Sequence, residues 1–177
     1  MQTCIGPSEE HVSMAGIPTE ASIIEMVEKD MPGRLVNVYA HTAGGGKFMA
    51  VIQFKKSIPS DEGRQRQAAL LAFSAFPELK HVILVDEDVD LFDSNDVLWA
   101  MNTRFQGDKD IIMIPGVRCH PLDPSQDPEF SNSISDRGIY CKTIFDCTVP
   151  FHLKKDFQRA QFKEVDPTPY APNLFKK

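Results

Sequence analysis

The densest group of ionisable side chains in this sequence is a run of four carboxylates. Asp86, Glu87, Asp88 and Asp90 fall within five consecutive positions. Clustered carboxylates are ligands that Mg²⁺ and Mn²⁺ prefer. The spacing matches no known metal-binding loop, however, and carboxylates at a strand-to-helix corner also bind backbone amides and helix termini. We therefore interpret the cluster as structural, with a divalent-metal site as the alternative.

Two histidines form a second group that could carry chemistry, because each follows a predicted strand. His41 precedes a glycine-rich loop, and His120 lies in the segment VRCHPL after an apolar run at residues 110–114. In an open parallel sheet, ligands bind beyond the carboxyl ends of the strands, so this rule places His120, and with it His41, near a cleft. An imidazole there can hydrogen-bond to a phenol or a carboxylate. The alternative for His120 is an exposed loop histidine.

Several common kinds of site are excluded by spacing. The segment AGGGK is not a phosphate-binding P-loop, because Phe48 stands where Ser or Thr would bind magnesium and His41 stands where the first glycine belongs. A dinucleotide-binding G-x-G-x-x-G fingerprint is also missing, as is the nucleophile elbow of a Ser-His-Asp hydrolase. The four cysteines (Cys4, Cys119, Cys141, Cys147) lack the paired spacing of a zinc site.

Composition narrows the class of protein further. The 177 residues are 42% hydrophobic and 25% charged, which is typical of one globular domain. A net charge of −6 argues against nucleic acid as a partner, because phosphate binding needs a basic surface. No apolar run approaches the ~18 residues that span a bilayer. The N-terminus has neither the basic nor the apolar region of a signal peptide, so we expect a cytoplasmic chain with reduced thiols.

One stretch, residues 81–116, must position both groups. Residues 82–85 form a continuous apolar run, as expected for a buried strand, and the carboxylates follow it at once. Ser94 is suited to cap a helix that ends at Gly107, and residues 110–114 form a second apolar strand. Strand, helix and strand in this order predict a right-handed βαβ unit and a parallel sheet.

The other elements complete an α/β three-layer sandwich, with a mostly parallel sheet of about five strands and about three helices. We expect an irregular lead-in at residues 1–16, a domain at residues 17–150 and an extended tail at residues 151–177 that docks on a neighbouring subunit. The predicted elements are a helix that starts at Pro18 or Thr19 and ends at Met31, strands at residues 35–40 and 48–54, a helix at 63–76, and a last strand at 139–146 that follows a long loop at 117–138.

At this level of detail the chain resembles the C-terminal domain of the UbiD family of decarboxylases. The similar stretches are EEHVSMAGIPTEASIIE, LKHVILVDEDVDLFDSNDVLWAMNTR, DIIMIPGVRCHPLDPS and IFDCTVPF, and the resemblance runs from residue 10 to residue 170. The family is non-oxidative and uses prenylated FMN, with a divalent metal, on aromatic and α,β-unsaturated acids. The resemblance thus implies an aromatic acid as substrate.

What the resemblance does not cover matters as much. Family members are much longer, and their flavin site, metal site and catalytic Glu–Arg–Glu group lie in an N-terminal domain that no part of this chain resembles. The resemblance therefore implies no catalytic residue, no metal ligand and no cofactor bound by this chain alone. It implies a wall of the substrate cleft and an oligomer interface. His120, Pro121 and Leu122 resemble the stretch over the substrate ring, and His41 is similar to another pocket position.

A histidine at position 120 is similar to family members that act on hydroxybenzoates, where the imidazole can meet a ring hydroxyl. Two hypotheses follow. In the first, the chain is a domain or split subunit of a hydroxyarylic acid decarboxylase (a carboxy-lyase) that works with a catalytic UbiD-like N-terminal chain. In the second, it is a non-catalytic truncated remnant that folds and oligomerises without activity. Both predict a homo-oligomer.

Overall fold

The computed structural model describes residues 9–118, 120, 123, 125, 139–160, 165–166 and 168–170. The described part of the chain contains three helices, five strands and three single-turn helices. The helices are α1 (Glu9–Asp30), α2 (Arg64–Ala75) and α3 (Ser94–Arg104), and the strands are β1 (Leu35–Ala40), β2 (Met49–Phe54), β3 (His81–Val85), β4 (Ile111–Arg118) and β5 (Ile139–Cys147). The single turns lie at Thr42–Gly44, Pro59–Asp61 and Phe151–Leu153.

The five strands form one mixed sheet in the order β1-β2-β3-β5-β4. Its three central strands, β2, β3 and β5, are parallel, whereas β1 and β4 pair antiparallel at the two edges. The predicted βαβ unit is therefore wrong, because β5 lies between β3 and β4 and β4 runs in the opposite direction. The apolar run in β4 suggested a buried central strand, yet Met113 is 64% exposed, as suits an edge, whereas Ile144 of β5 is fully buried.

Two hydrophobic clusters, one on each face of the sheet, confirm the three-layer α/β sandwich. On one face α1 and α2 pack against the sheet through a cluster that includes Ile23, Val27, Ala72, Ile52 and Leu84. On the other face, Val97 and Ala100 of α3 pack on a smaller cluster with Val51, Ile83 and Val85. Alternate residues of β2 and β3 thus enter opposite layers, as the two-residue period of a strand requires.

Helix α1 begins earlier than predicted. It starts at Glu9, and Pro18 lies inside it. A proline removes one backbone donor and usually ends a helix, which is why we placed the start there. Pro18 is on the exposed face, and the hydroxyl of the next residue, Thr19, donates to the Ala15 carbonyl at 2.7 Å. From residue 9 onward, the predicted lead-in is therefore helical.

Both edge strands are interrupted by irregular pairing. The β1–β2 register shifts between Leu35 and Asn37, and the β4–β5 register shifts between Ile114 and Val117. The second shift contains Pro115, which has no backbone donor, and Gly116, whose φ of +73° favours glycine. These shifts interrupt the hydrogen-bond ladder where each edge strand meets its neighbour.

The start of the predicted tail contacts its own domain. The backbone N–H of Phe151 donates to Glu62 at 2.7 Å, and the Lys154 ammonium donates to the Lys56 carbonyl at 3.1 Å. That the tail docks on a neighbouring subunit stays a prediction. In the described part of the chain, no helix is long and apolar enough to cross a membrane.

Candidate functional site

Both candidate histidines lie at the amino ends of the parallel strands, which we call the amino edge. Because β1 and β4 are antiparallel to the central strands, the residues that follow them, His41 and His120, emerge there. The prediction that these histidines lie beyond the carboxyl ends of parallel strands is therefore wrong. The two histidines nevertheless contact the same short segment, Phe48 and Met49. The His41 N–H donates to the Met49 carbonyl at 2.9 Å, and the His120 ring lies edge-on to Phe48.

His120 is buried, with 7% of its surface exposed, so it is not an exposed loop histidine. Its Nε2 lies 3.2 Å from the Glu78 carboxylate, and its ring centroid lies 5.4 Å from that of Phe48. Burial lowers the pKa of His120, and the positive charge of Lys47 lowers it further, although Glu78 and Asp123 act in the opposite direction. The net effect favours the neutral imidazole, which can both donate and accept one hydrogen bond.

Glu78 is held in place by a buried lysine from β5. The Lys142 ammonium donates to the carbonyls of Pro77, at 2.6 Å, and Leu79, the residues on either side of Glu78. It also lies 5.0 Å from the Phe73 ring centroid, a cation–π contact. Lys142 is only 6% exposed. A buried ammonium needs such partners, so the turn between α2 and β3 is fixed by the charge beneath it.

A second set of contacts fixes the same turn to the His120 segment. The backbone N–H groups of Lys80 and His81 both donate to the Phe48 carbonyl, at 2.9 and 2.8 Å. The Lys80 ammonium lies 2.8 Å from Asp123 and 2.5 Å from the Ser125 hydroxyl. Burial opposes ionisation of Asp123, but its hydrogen bonds to Lys80 and Ser125 outweigh burial and hold the pKa below its ordinary value.

His41 serves the loop that follows it. Its Nδ1 accepts the N–H of Ala43 at 3.0 Å, which caps the single-turn helix Thr42–Gly44. Its Nε2 lies 2.9 Å from the Ser94 hydroxyl at the start of α3. Since Nδ1 accepts, Nε2 carries the proton and donates to Ser94. His41 thus has two partners in its own chain. Of the other predicted pocket residues, Pro121 and Leu122 lie outside the described residues.

The glycine-rich loop packs against α1. Gly46 has φ +68°, and a Cβ there would lie 3.0 Å from the backbone N and Cα of Gly16 and 3.1 Å from the Val12 carbonyl oxygen. A side chain at Gly46 would prevent this approach, whereas a Cβ at Gly16 would lie at an ordinary 3.8 Å from the Gly46 Cα. The glycines therefore serve backbone freedom and close packing, in agreement with the sequence pattern, which did not match a P-loop.

The carboxylate cluster lies at the opposite side of the sheet, which we call the carboxyl edge, beside a cavity of about 860 Å³. Arg104, at the end of α3, contacts Asp86 at 3.0 Å and Asp88 at 2.5 Å. The backbone N–H of Val149 also donates to Asp86, at 2.7 Å. The cavity is lined by Asp86, Glu87, Asp88, Arg104, Val149, Lys154, Phe157, Gln158, Arg159 and Ala160.

Each charged group in that lining has an opposite charge beside it. Lys154 lies 3.9 Å from Asp86 and 3.8 Å from Glu87, and Arg159 lies 3.6 Å from Asp88. Burial raises the pKa of Asp86 despite these cations, and burial alone would also raise the pKa of Asp88. For Asp88 the hydrogen bonds and charge of Arg104 win, and they hold its pKa below the ordinary value.

Within the described residues, no group of three or more His, Cys, Asp or Glu side chains is arranged to hold a metal ion. We did not predict Arg104 as the partner of the cluster, nor Glu78 and Lys142 at the amino edge. One signal was available for Lys142. It shares a strand face with Ile144 and Asp146, all three of them buried, and a lysine at a buried strand position requires partners.

The cavity and the candidate histidine thus lie at opposite edges of the sheet. The cavity offers volume, but its charges neutralise one another within the chain. The amino edge offers a buried imidazole against an aromatic ring, with its orientation fixed by neighbours. We therefore take the amino edge as the candidate site, because it holds a buried polar group beside an aromatic ring that is able to bind a hydroxyl.

Known proteins resemble this chain over almost all of its length. A 61% identical relative over 166 residues is the gallate decarboxylase of Lactiplantibacillus plantarum, and the match covers 93% of this chain and 34% of that protein. Among solved structures, the apo 3,4-dihydroxybenzoic acid decarboxylase of Klebsiella pneumoniae is 64% identical with a TM-score of 0.83, and the match covers 99% of this chain and 36% of that one.

A more distant structure is the UbiD-class enzyme HmfF from Pelotomaculum thermopropionicum in complex with FMN, at 31% identity and a TM-score of 0.77 over 94% of this chain and 35% of that one. The chain therefore spans about a third of the length of the relatives it matches, 34% of the gallate decarboxylase. The family described as 3-octaprenyl-4-hydroxybenzoate carboxy-lyase C-terminal domain matches residues 12–147. The chain belongs to this family, the C-terminal domain of the UbiD decarboxylases.

Proposed function

We propose that this chain supplies one wall of the substrate cleft in a non-oxidative decarboxylase of hydroxyarylic acids, together with a flavin-binding chain or domain. The observation that carries the proposal is His120, a buried imidazole beside the Phe48 ring in a chain 64% identical to a 3,4-dihydroxybenzoic acid decarboxylase. The gallate decarboxylase is a second relative whose name specifies a hydroxylated aromatic acid.

In this proposal His120 binds a ring hydroxyl and orients the substrate. Its lowered pKa favours the neutral form, which can hydrogen-bond to a phenol without adding charge to the cleft. Phe48 offers an aromatic edge beside it. Pro121 and Leu122 are proposed to lie over the ring, on the strength of the family resemblance. His41 is proposed to hold the loop beside this pocket through its bonds to Ala43 and Ser94.

The flavin and its divalent metal are proposed to be held by the partner. The described residues of this chain do not fit either group, since they offer no cluster of three metal ligands and their glycine loop is packed on α1. A flavin phosphate needs an open row of backbone donors, and the contact of Gly46 with Gly16 closes that side of the loop. We therefore assign the chemistry at the carboxylate of the substrate to the flavin-binding chain or domain.

The second candidate function is a non-catalytic remnant that folds and forms homo-oligomers. The match covers 34% of the gallate decarboxylase, and this coverage is the same for both candidates. The two candidates differ in one measurable respect. A remnant turns nothing over in any mixture, whereas a split subunit restores activity to a catalytic chain that lacks this domain.

The test is reconstitution. The N-terminal part of the Klebsiella relative, produced with prenylated FMN but without its own last third, is mixed with the 177-residue chain and a panel of hydroxybenzoates. We expect carbon dioxide release from the mixture and none from the 177-residue chain alone. No release from the mixture, with both proteins folded, would favour the remnant.

His120→Phe in the same mixture tests the role of the imidazole. Phenylalanine keeps the bulk but removes the polar partner, and a buried hydroxyl left unpaired costs ~1–3 kcal/mol, roughly five- to a hundredfold in kcat/KM. The preference for a hydroxybenzoate over its deoxy analogue should fall by that factor. The matched control is His152→Phe, at an exposed position, which should leave the preference unchanged. An unchanged preference in His120→Phe would place His120 outside the cleft.

A further inference from the structure

We propose that Glu78 is the positioning residue for His120, because it holds the imidazole in one orientation and one tautomer. This inference deepens the proposed function and rests on it as far as the substrate is concerned. Nothing in the sequence marks Glu78 as more than a polar residue between Pro77 and the following strand. The structure places its carboxylate 3.2 Å from Nε2 of His120.

The tautomer follows from the chemistry of the two groups. An ionised carboxylate only accepts hydrogen bonds, so the nitrogen that faces Glu78 must carry a proton. In the neutral imidazole the proton is then on Nε2, and Nδ1 keeps the lone pair. A hydroxyl group that meets Nδ1 must therefore donate its hydrogen. Glu78 thus sets the polarity of the hydrogen bond that His120 can offer, as the carboxylate partners of functional histidines do elsewhere.

The contact is held by the surrounding chain. Lys142 binds the carbonyls on both sides of Glu78, and the backbone N–H of His81, the first residue of β3, donates to the Phe48 carbonyl at 2.8 Å. The Phe48 ring in turn lies against His120. Glu78, the imidazole and the aromatic ring are therefore fixed to one another by the backbone of one turn and one strand start, so their geometry is preorganised.

Among the described residues, the other two charges that shift the pKa of His120 do not take the place of Glu78. Asp123 raises the pKa of His120, but its carboxylate already accepts from the Lys80 ammonium and from the Ser125 N–H at 2.9 Å. Lys47 carries the opposite charge and acts against protonation. Glu78 is also 39% exposed at its side chain, so it adds little to the packing of the core and can be replaced without unfolding the domain.

The first experiment follows the histidine rings by ¹⁵N nuclear magnetic resonance in the 177-residue chain, with His120 assigned from the spectrum of His120→Phe. In Glu78→Gln, the loss of the carboxylate should lower the protonated fraction of His120 about threefold at a given pH, the size expected for a partly exposed pair, and should reduce the population with the proton on Nε2. The signals of His41, His81 and His152 should not move.

The matched control is Glu87→Gln, which makes the same chemical change at the carboxyl edge in a side chain of similar exposure, 43%. It should leave the His120 signals as in the wild type. If Glu78→Gln also leaves both the titration and the tautomer of His120 unchanged, the inference is overturned.

The second experiment uses the reconstituted mixture and separates the two proposals. Glu78→Gln should lower the preference for a hydroxybenzoate over its deoxy analogue, by less than His120→Phe does, and should add nothing in the His120→Phe background. If His120→Phe changes the preference and Glu78→Gln does not, the positioning role is overturned and the proposed function stands. If His120→Phe has no effect, the proposed function fails, and the resonance experiment alone then decides whether Glu78 orients the ring.

Discussion

The two edges of the sheet both carry charged side chains and use them in different ways. At the carboxyl edge, Arg104 contacts both Asp86 and Asp88, and Lys154 and Arg159 complete the pairing. At the amino edge, the Glu78 carboxylate faces a buried imidazole next to an aromatic ring. The carboxyl edge has a cavity of about 860 Å³, but its charges bind one another and leave little for a ligand.

The comparison shows that the number of carboxylates is a poor guide to a site when a buried arginine lies among them. What distinguishes the amino edge is a buried imidazole that lies between the Glu78 carboxylate and the Phe48 ring. The topology explains why the carboxylate cluster and the two histidines lie at opposite sides of the sheet. Two antiparallel edge strands deliver His41 and His120 to the side of the sheet away from the carboxylates.

The largest expected effect is a loss of stability when the ion pairs at the carboxyl edge are broken. Arg104→Met keeps the bulk but leaves the buried Asp86 without its nearest cation, which typically costs ~3–5 kcal/mol. The free energy of unfolding from urea titration at pH 7 should fall by that amount. The double variant with Asp86→Asn, which also removes the stranded charge, should recover part of the loss.

The control for that experiment is Arg64→Met. The Arg64 side chain is 45% exposed and lies 4.0 Å from its acidic neighbour, so its loss should cost less than about 1 kcal/mol. A cost for Arg104→Met no larger than that of the control would mean that the acidic cluster is hydrated, and the contrast between the edges would disappear.

The next effect tests the close packing behind the amino edge. In Gly46→Ala, the positive φ costs roughly 1–2 kcal/mol and the contact with Gly16 adds about 1–3 kcal/mol. Gly33→Ala is the matched control, because Gly33 has φ +72° with nothing within 4 Å of its added Cβ. Thermal unfolding of both variants isolates the contact. Equal losses would show that the loop moves away from α1 at no cost.

A smaller effect concerns pH. Burial is the main cause that lowers the pKa of His41, His81 and His120 from the ordinary value of 6.5. The unfolded chain then binds more protons than the folded chain as pH falls below that value, so stability is present at neutral pH and declines toward pH 5. His120→Phe should reduce the decline in melting temperature between pH 7.5 and 5, and His152→Phe should not. A steeper decline of the melting temperature in His120→Phe would contradict the prediction that His120 lowers stability as the pH falls.

The smallest effect is expected from metal ions. Titration with Mn²⁺ or Mg²⁺ should leave the melting temperature unchanged, because Arg104 and Lys154 already neutralise the carboxylates at the carboxyl edge. A true site would add about 2.7 kcal/mol at a hundredfold excess of metal over Kd. A clear rise that is lost in Asp88→Asn would return the cluster to the role of metal site.

Local patterns predicted most of the elements. The predicted strand at residues 35–40 is β1 as observed, and the helix placed at 63–76 is observed as Arg64–Ala75, because breaker residues and apolar spacing act within a few positions. The start of α1 was predicted wrongly for the same reason. The rule that proline interrupts a helix considers only neighbouring residues, and the exposed face of α1 tolerates Pro18. The place of β4 could not be found locally, because strand order depends on which partner buries more surface.

The candidate site was only partly predictable. His120 could be found from its position after a strand and from the family resemblance. Glu78 could not, because its role depends on tertiary contacts. Lys142 offered one signal, its buried strand position, but its partners lie on either side of Glu78, 64 residues earlier in the chain. The same holds for Arg104, which follows its acidic partners by a full helix. Pairing of this kind follows from topology, and the topology was the part that the sequence pattern predicted least well.

The shifted registers of β1 and β4 have a consequence for how this domain behaves in concentrated solution. An open sheet has two outer strands, and a flat outer strand invites the edge of another molecule to extend the sheet into a fibre. Here Pro115 and Gly116 bend one outer strand, and the irregularity between Leu35 and Asn37 bends the other. Neither edge presents an unbroken row of donors and acceptors, so sheet-to-sheet growth is discouraged at both ends of the fold.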